Sequence, residues 1–94
     1  MEILGKFYLS NGQTIEEKVH YKKVNEKVTD EEFRKEVEKI RDETEKFLSE
    51  EIFSRSTKVF PFGNSVIKIE AIVAFHFIVV EEAEEEIVYD IADM

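Results

Sequence analysis

The chain has 94 residues, a formal net charge of −9 and no cysteine. This length predicts one domain over residues 1–94, and the lack of cysteine excludes disulfides and thiolate metal sites, which suits a cytoplasmic protein. The acidity disfavours binding to nucleic acid or to anionic membranes, because both require clustered lysine or arginine. We therefore expect a partner with a basic surface.

The first predicted element is a β-hairpin. Two β-rich runs flank Asn11-Gly12, which predicts a hairpin over residues 2–24 with a type I′ turn, whose two central residues both need positive φ. Glu17 interrupts the apolar face that Ile15 and Val19 would form. We interpret Glu17 as an exposed residue of an edge strand, with a β-bulge as the alternative.

A helix is predicted over residues 30–53. Thr29 followed by Glu32 matches a capping box, in which each side chain accepts a hydrogen bond from the backbone N–H of the other residue. Apolar positions then recur at alternating steps of four and three, which places one apolar stripe along the helix. The opposite face is rich in Glu, Lys and Arg, and we expect it to be solvated.

A second hairpin is predicted over residues 57–80, followed by an acidic, strand-like tail over residues 81–94. Pro61 cannot donate to a ladder, so its short strand belongs at a sheet edge or strand end. Gly63-Asn64 then marks the turn before a long strand. The order β-β-α-β-β predicts the α+β class, with one antiparallel sheet and the long helix packed on one of its faces.

The long strand has two different faces. Because side chains alternate along a strand, one face is wholly apolar and can receive the helix. The other face stays apolar in its second half without any cover, and soluble monomers seldom expose such a patch. We predict that it forms the interface of a homodimer, the alternatives being the C-terminal segment folding back or another partner. The predicted interface residues are Ile72, Ala74, His76, Ile78 and Val80.

The acidic tail begins directly after this strand. Its glutamates end the apolar run and discourage edge-to-edge pairing. They also form the candidate binding site for a basic partner, with a solvated acidic cluster or weak calcium binding as the alternatives. The residues of this site are Glu81, Glu82, Glu84, Glu85, Glu86 and Asp90.

No motif points to catalysis. The serines lie in no nucleophile elbow, and three glycines in the whole chain leave no phosphate-binding loop. We therefore expect a non-enzymatic protein without cofactor or metal. An alternative is an oligomer that binds or sequesters a nucleotide-like metabolite between protomers, with Tyr21, Arg55 and His76 as candidate ligand-binding residues. A packed or hydrogen-bonded strand histidine is the simpler interpretation of His76.

Two stretches, "FYLSNGQTI" and "FPFGNSVIKIEAIVAF", resemble the hairpins of small phage- and prophage-encoded accessory proteins from low-GC Gram-positive hosts. The resemblance covers turns and core positions, so it carries over no catalytic residue, and the long acidic C-terminus departs from it. It implies a mobile-element protein, and some such proteins inhibit host enzymes or defence systems. We predict a small acidic homodimer that inhibits a host protein, with a structural phage component as a further alternative.

Overall fold

A computed structural model describes residues 1–81 of the chain. Five strands, one α-helix and a single 3-10 turn place these residues in the α+β class, as predicted. The predicted tail lies outside the described residues except for Glu81. The elements are β1 (Glu2–Leu9), β2 (Thr14–His20), α1 (Asp30–Phe53), β3 (Val59–Phe62), β4 (Ser65–Lys68), the 3-10 turn (Ile69–Ala71) and β5 (Ile72–Val80).

The predicted first hairpin is present, but its turn differs from the prediction. Gly12 has φ +89° and its N–H donates to the carbonyl of Leu9, while Asn11 has no positive φ. This is a type I turn followed by a left-handed glycine, the usual arrangement of a three-residue hairpin loop. The Asn11 side chain accepts a hydrogen bond from the backbone N–H of Gln13 at 2.9 Å, which closes the loop.

The helix begins and ends at the predicted residues. The capping box forms in both directions, since Thr29 Oγ1 accepts from the Glu32 N–H and the Glu32 carboxylate accepts from the Thr29 N–H, each at 3.0 Å. At the other end, Arg55 adopts φ +59°, and the N–H of Ser56 donates to the carbonyl of Glu51. These features define a Schellman cap, with arginine at the position that glycine usually occupies.

The second half of the chain forms two layers instead of one sheet. Strands β3 and β4 pair only with each other, whereas β5 pairs with β1 to complete a three-stranded antiparallel sheet in the order β2-β1-β5. The predicted long strand is therefore interrupted at Ile69–Ala71, where the 3-10 turn carries the chain from the small hairpin to the larger sheet. The sequence pattern missed this break because the apolar alternation of Ile67, Ile69 and Ala71 continues through it.

The core lies between the larger sheet and a cover made by α1 and the β3–β4 hairpin. Phe7, at the centre of the sheet, is fully buried. Its ring centroid lies 5.6 to 5.9 Å from those of Phe60, Phe62 and Phe77, which join the hairpin to the sheet. Gly5 leaves the space that these rings occupy. The helix packs against β5 and the 3-10 turn, and its buried residues are Val37 and Leu48.

Glu17 joins the two hairpins. It lies on the edge strand β2, as expected, but it is half-buried and hydrogen-bonded instead of exposed. It pairs with Gly5 in a regular register, so it is not at a bulge. Its carboxylate accepts hydrogen bonds from the Asn64 N–H at 3.1 Å and from the Ser65 hydroxyl at 2.5 Å. These two bonds lower the pKa of Glu17, the Ser65 bond having the larger effect. The apparent misfit therefore anchors the turn of the second hairpin.

Candidate binding face

One face of the three-stranded sheet carries no covering element among residues 1–81. Buried residues of β1 alternate with exposed ones, so the even-numbered side chains point away from the core. The same alternation holds across all three strands. We call this surface the outer face; it consists of Glu2, Leu4, Lys6 and Tyr8 on β1, Thr14, Glu16, Lys18 and His20 on β2, and Ala74, His76, Ile78 and Val80 on β5.

The strand register arranges these side chains in rows across the sheet. Lys6 lies between Glu16 and His76, and the next row holds Leu4 between Lys18 and Ile78. Directly opposite residues in an antiparallel pair are close enough for their side chains to interact. The row of Lys6 is therefore wholly polar and the row of Leu4 is mixed, and the polar side chains come mainly from β2.

Opposite charges balance each other on the outer face. Lys6 Nζ lies 3.4 Å from a Glu16 oxygen, and its ammonium also lies over the Tyr8 ring at 5.5 Å from the centroid. The hydrogen bond to Glu16 is the main cause that raises the pKa of Lys6. Lys18 Nζ lies 3.7 Å from Glu2, which also lies 4.0 Å from His20 Nδ1. The face is consequently close to neutral, in contrast to the acidic chain as a whole.

Apolar side chains are partly exposed within this network. Leu4, Tyr8 and Ile78 are 36%, 39% and 44% exposed. A shallow groove of about 590 Å³ runs over the face, with Leu4, Lys6, His76 and Ile78 among its lining residues, and it reaches the β2 edge at Glu17 and Asn64. Partly exposed apolar and aromatic groups beside paired charges are typical of surfaces that bind other proteins.

Four of the five predicted interface residues lie on the outer face. Ala74, His76 and Ile78 are exposed and Val80 is half-buried. Ile72 is different, because it is only 4% exposed and belongs to the core. Tyr8 pairs with Ala74, but the next residue of β1, Leu9, pairs with Ile72, two residues along β5. The extra residue between them, Val73, forms a bulge that reverses which side chains point inward.

The three candidate ligand-binding residues do not converge. Tyr21 lies beside Met1 at one end of the sheet, where burial raises the pKa of its hydroxyl. Arg55 lines a separate depression of about 280 Å³ beside Ile72, at the start of β5. Met1 is near the opposite end of β5, which spans roughly 27 Å at the usual rise per residue. His76 lies on the outer face, away from both.

Glu81 is the only member of the predicted acidic site within the described residues. Its exposed carboxylate forms an ion pair with Arg34 near the start of α1. The remaining members, Glu82, Glu84, Glu85, Glu86 and Asp90, lie outside the described residues. The structure therefore places the first residue of the tail beside the helix.

Another acidic feature lies on the helix and was not singled out from the sequence. Glu36, Glu43 and Glu50 recur every seven residues, which puts them on one line along the exposed side of α1. Their side chains form no hydrogen bond or ion pair with any residue from 1 to 81. The seven-residue spacing is visible in the sequence. Because lysines lie near these glutamates, the whole face was interpreted as an ordinary solvated surface.

The described residues show no sign of a metal site or of a membrane-spanning helix. Residues 1–81 contain no cluster of three or more metal-ligating side chains. Their one α-helix lacks the long apolar stretch that crossing a membrane requires. In comparisons with known proteins, no family model, curated protein or solved structure matches the chain. The outer face and the distribution of charge are therefore the features that bear on function.

Proposed function

We propose that this chain is a non-enzymatic binding protein that docks another protein on the outer face of its sheet. The observation that carries the proposal is this uncovered face, where Leu4, Tyr8 and Ile78 are partly exposed around a groove. Aromatic and apolar groups that become fully buried contribute most of the energy of a protein interface. The balanced ion pairs around them supply a polar rim.

The charge of the molecule favours a partner with a basic surface. The outer face is nearly neutral, but the unpaired line of Glu36, Glu43 and Glu50 and the overall charge of −9 create a negative field around it. Such a field accelerates encounter with a positively charged protein, and this effect weakens as salt increases. In the proposal, charge attracts the partner and the outer face holds it.

The biological setting belongs to the same proposal. The resemblance of the two hairpins to phage and prophage accessory proteins supports a role as an inhibitor of a host protein, including a host defence factor. The cysteine-free, acidic composition supports action in the host cytoplasm. A homodimer, expected from the sequence, is part of this proposal, and its interface must leave the outer face free to hold the partner.

A small-molecule site is a second candidate only at the groove of the outer face. Its volume of about 590 Å³ lies in the range of ligand pockets, and its lining includes His76, His20 and two lysines. Of the three residues first expected to bind a ligand, only His76 lines this groove. Glu16 and Glu2 pair with these lysines, so the groove offers a ligand a balanced set of charges beside apolar groups.

The test compares capture of host proteins by the wild type and by two matched variants. Tyr8→Ala removes a partly exposed ring from the outer face, whereas Val66→Ala removes a side chain that is 68% exposed on the β3–β4 hairpin. We expect Tyr8→Ala to weaken binding of the identified partner by about tenfold or more, the loss typical of an interface aromatic. Val66→Ala is expected to bind like the wild type.

The outcomes separate the two candidate functions. A captured protein whose affinity is unchanged by Tyr8→Ala would bind elsewhere, and the outer face would lose its proposed role. A stoichiometric small mass in native mass spectrometry of protein from host cells, lost in Tyr8→Ala, would favour the metabolite site instead. A Kd that fails to rise with salt would count against a basic partner.

A further inference from the structure

The two edges of the three-stranded sheet are very different. The edge strand β2 carries Glu16, Glu17 and Lys18, and the Gly63–Asn64 turn packs against it. The other edge strand, β5, has no Asp, Glu, Lys, Arg or Pro between Ile72 and Val80. Charged side chains and proline are the devices by which proteins prevent strands from adding to an edge. Only β2 has them.

The hydrogen-bond pattern shows which backbone groups of β5 face outward. Met1 and Tyr21 exchange two backbone hydrogen bonds, at 2.7 and 3.2 Å. Odd-numbered residues of β1 therefore bond to β2, and even-numbered ones bond to β5. The even-numbered residues of β5 face β1 in this register. Consequently Phe75, Phe77 and Val79 direct their N–H and C=O groups to the free edge.

No backbone group from 1 to 81 pairs with this edge. We propose that a second copy of the chain pairs with it, joining β5 to β5 in antiparallel orientation about a two-fold axis at Phe77. This inference rests on the homodimer of the proposed function and specifies its geometry. The bulge at Val73 excludes that end of the strand. In this register Phe75 pairs with Val79 of the second copy, Phe77 with Phe77, and Val79 with Phe75. These pairs form about six backbone hydrogen bonds.

The absence of charged residues on β5 favours a second copy as the occupant. An uncharged strand needs an uncharged strand opposite, because an unpaired charge placed there would lose solvation. Each copy offers the same surface, as a two-fold interface requires.

The absence of cysteine makes the test direct. In this arrangement His76 lies opposite Ile78 of the second copy on the outer face, in a non-hydrogen-bonded pair. The Cα atoms of such a pair are about 4.5 Å apart, which suits a disulfide. An equal mixture of the full-length variants His76→Cys and Ile78→Cys is oxidised mildly. The matched control is Lys6→Cys, on the same face but on β1, where its copy lies about 16 Å away across three strand spacings and two residues along the strand.

We expect a dimer of the wild type in sedimentation and native mass spectrometry. We also expect the His76→Cys and Ile78→Cys mixture to form crosslinked dimer at least about tenfold faster than Lys6→Cys. A monomer at about 100 μM would overturn the inference, as would a dimer in which Lys6→Cys crosslinks as fast as the mixture, since that result places the contact on the outer face. Capture of a host protein that Tyr8→Ala weakens would still support docking on the outer face if the chain proves monomeric, so the two proposals can fail separately.

Discussion

Gly5 is a position at which a single added methyl group should destabilise the core. A Cβ atom there would lie 2.7 Å from Cε2 of Phe62 and 3.0 Å from Cε1 of Phe77. Ordinary contacts begin near 3.4 Å, so the nearest ring would have to move by about 0.7 Å. These two rings already pack with centroids 5.3 Å apart. Displacing one therefore displaces the other.

Two opposing effects decide the outcome of Gly5→Ala. Replacing glycine by alanine reduces the freedom of the unfolded chain, which stabilises a protein by roughly 0.4–1 kcal/mol. Adding a methyl group to a filled core costs about 1–3 kcal/mol. We expect overpacking to win, with a net loss of about 1–2 kcal/mol, or roughly 5–15 °C in Tm for a domain of this size.

The assay is equilibrium unfolding in urea, with Lys6→Ala as the control. Lys6 is the next residue on the same strand, but its side chain points to solvent, so we expect a change within about 0.5 kcal/mol. The circular dichroism signal follows the transition in all three proteins. If Gly5→Ala proves as stable as the wild type, the phenylalanine rings do not pack against Gly5 as described, and the account of the core is wrong.

Three further predictions concern other parts of the fold. Glu17→Gln should be less stable than the wild type at pH 7. Hydrogen bonds lower the pKa of Glu17 in the folded state, so its contribution is present above the unfolded pKa of about 4.3 and is lost as the pH falls towards the lower folded pKa. The stability difference from unfolding curves should shrink by pH 3, and a constant difference would refute this. Thr29→Ala should lower the free energy of unfolding by about 1 kcal/mol, because the capping box is lost. The exposed control Thr57→Ala should lower it by under about 0.5 kcal/mol. Equal losses would show that the capping box does not stabilise the helix. Leu48→Ala should lower the free energy of unfolding by about 2–5 kcal/mol, because Leu48 is buried. Phe53→Ala should lower it by under about 0.5 kcal/mol, because Phe53 is 89% exposed. Similar losses for both variants in thermal unfolding would refute this.

Local signals in the sequence predicted the elements whose stabilising contacts are also local. Thr29 and Glu32 are three residues apart and cap the helix themselves, so the helix began where the sequence placed it. Asn11-Gly12 likewise located the first hairpin. The exact turn type was missed, because an i-to-i+3 hydrogen bond to Leu9 fixes Asn11 in a conformation that the dipeptide alone does not determine.

Features that depend on distant contacts could not be predicted in this way. The role of Glu17 depends on Asn64 and Ser65, which lie 47 and 48 residues further along the chain. The break at Ile69–Ala71 occurs because the chain changes layers, and no polar residue pattern announces it. Four residues of the predicted interface reached the outer face, and Ile72 did not, because the bulge at Val73 changed the alternation.

The position of β1 between β2 and β5 has a consequence during protein synthesis. Its pairing with β2 needs only the first hairpin, which forms within about 1–10 μs once both strands are free. Its pairing with β5 must wait until roughly sixty more residues have been added, about 3–12 s at usual rates of translation. For that interval the growing chain carries the central strand of its sheet with one side open.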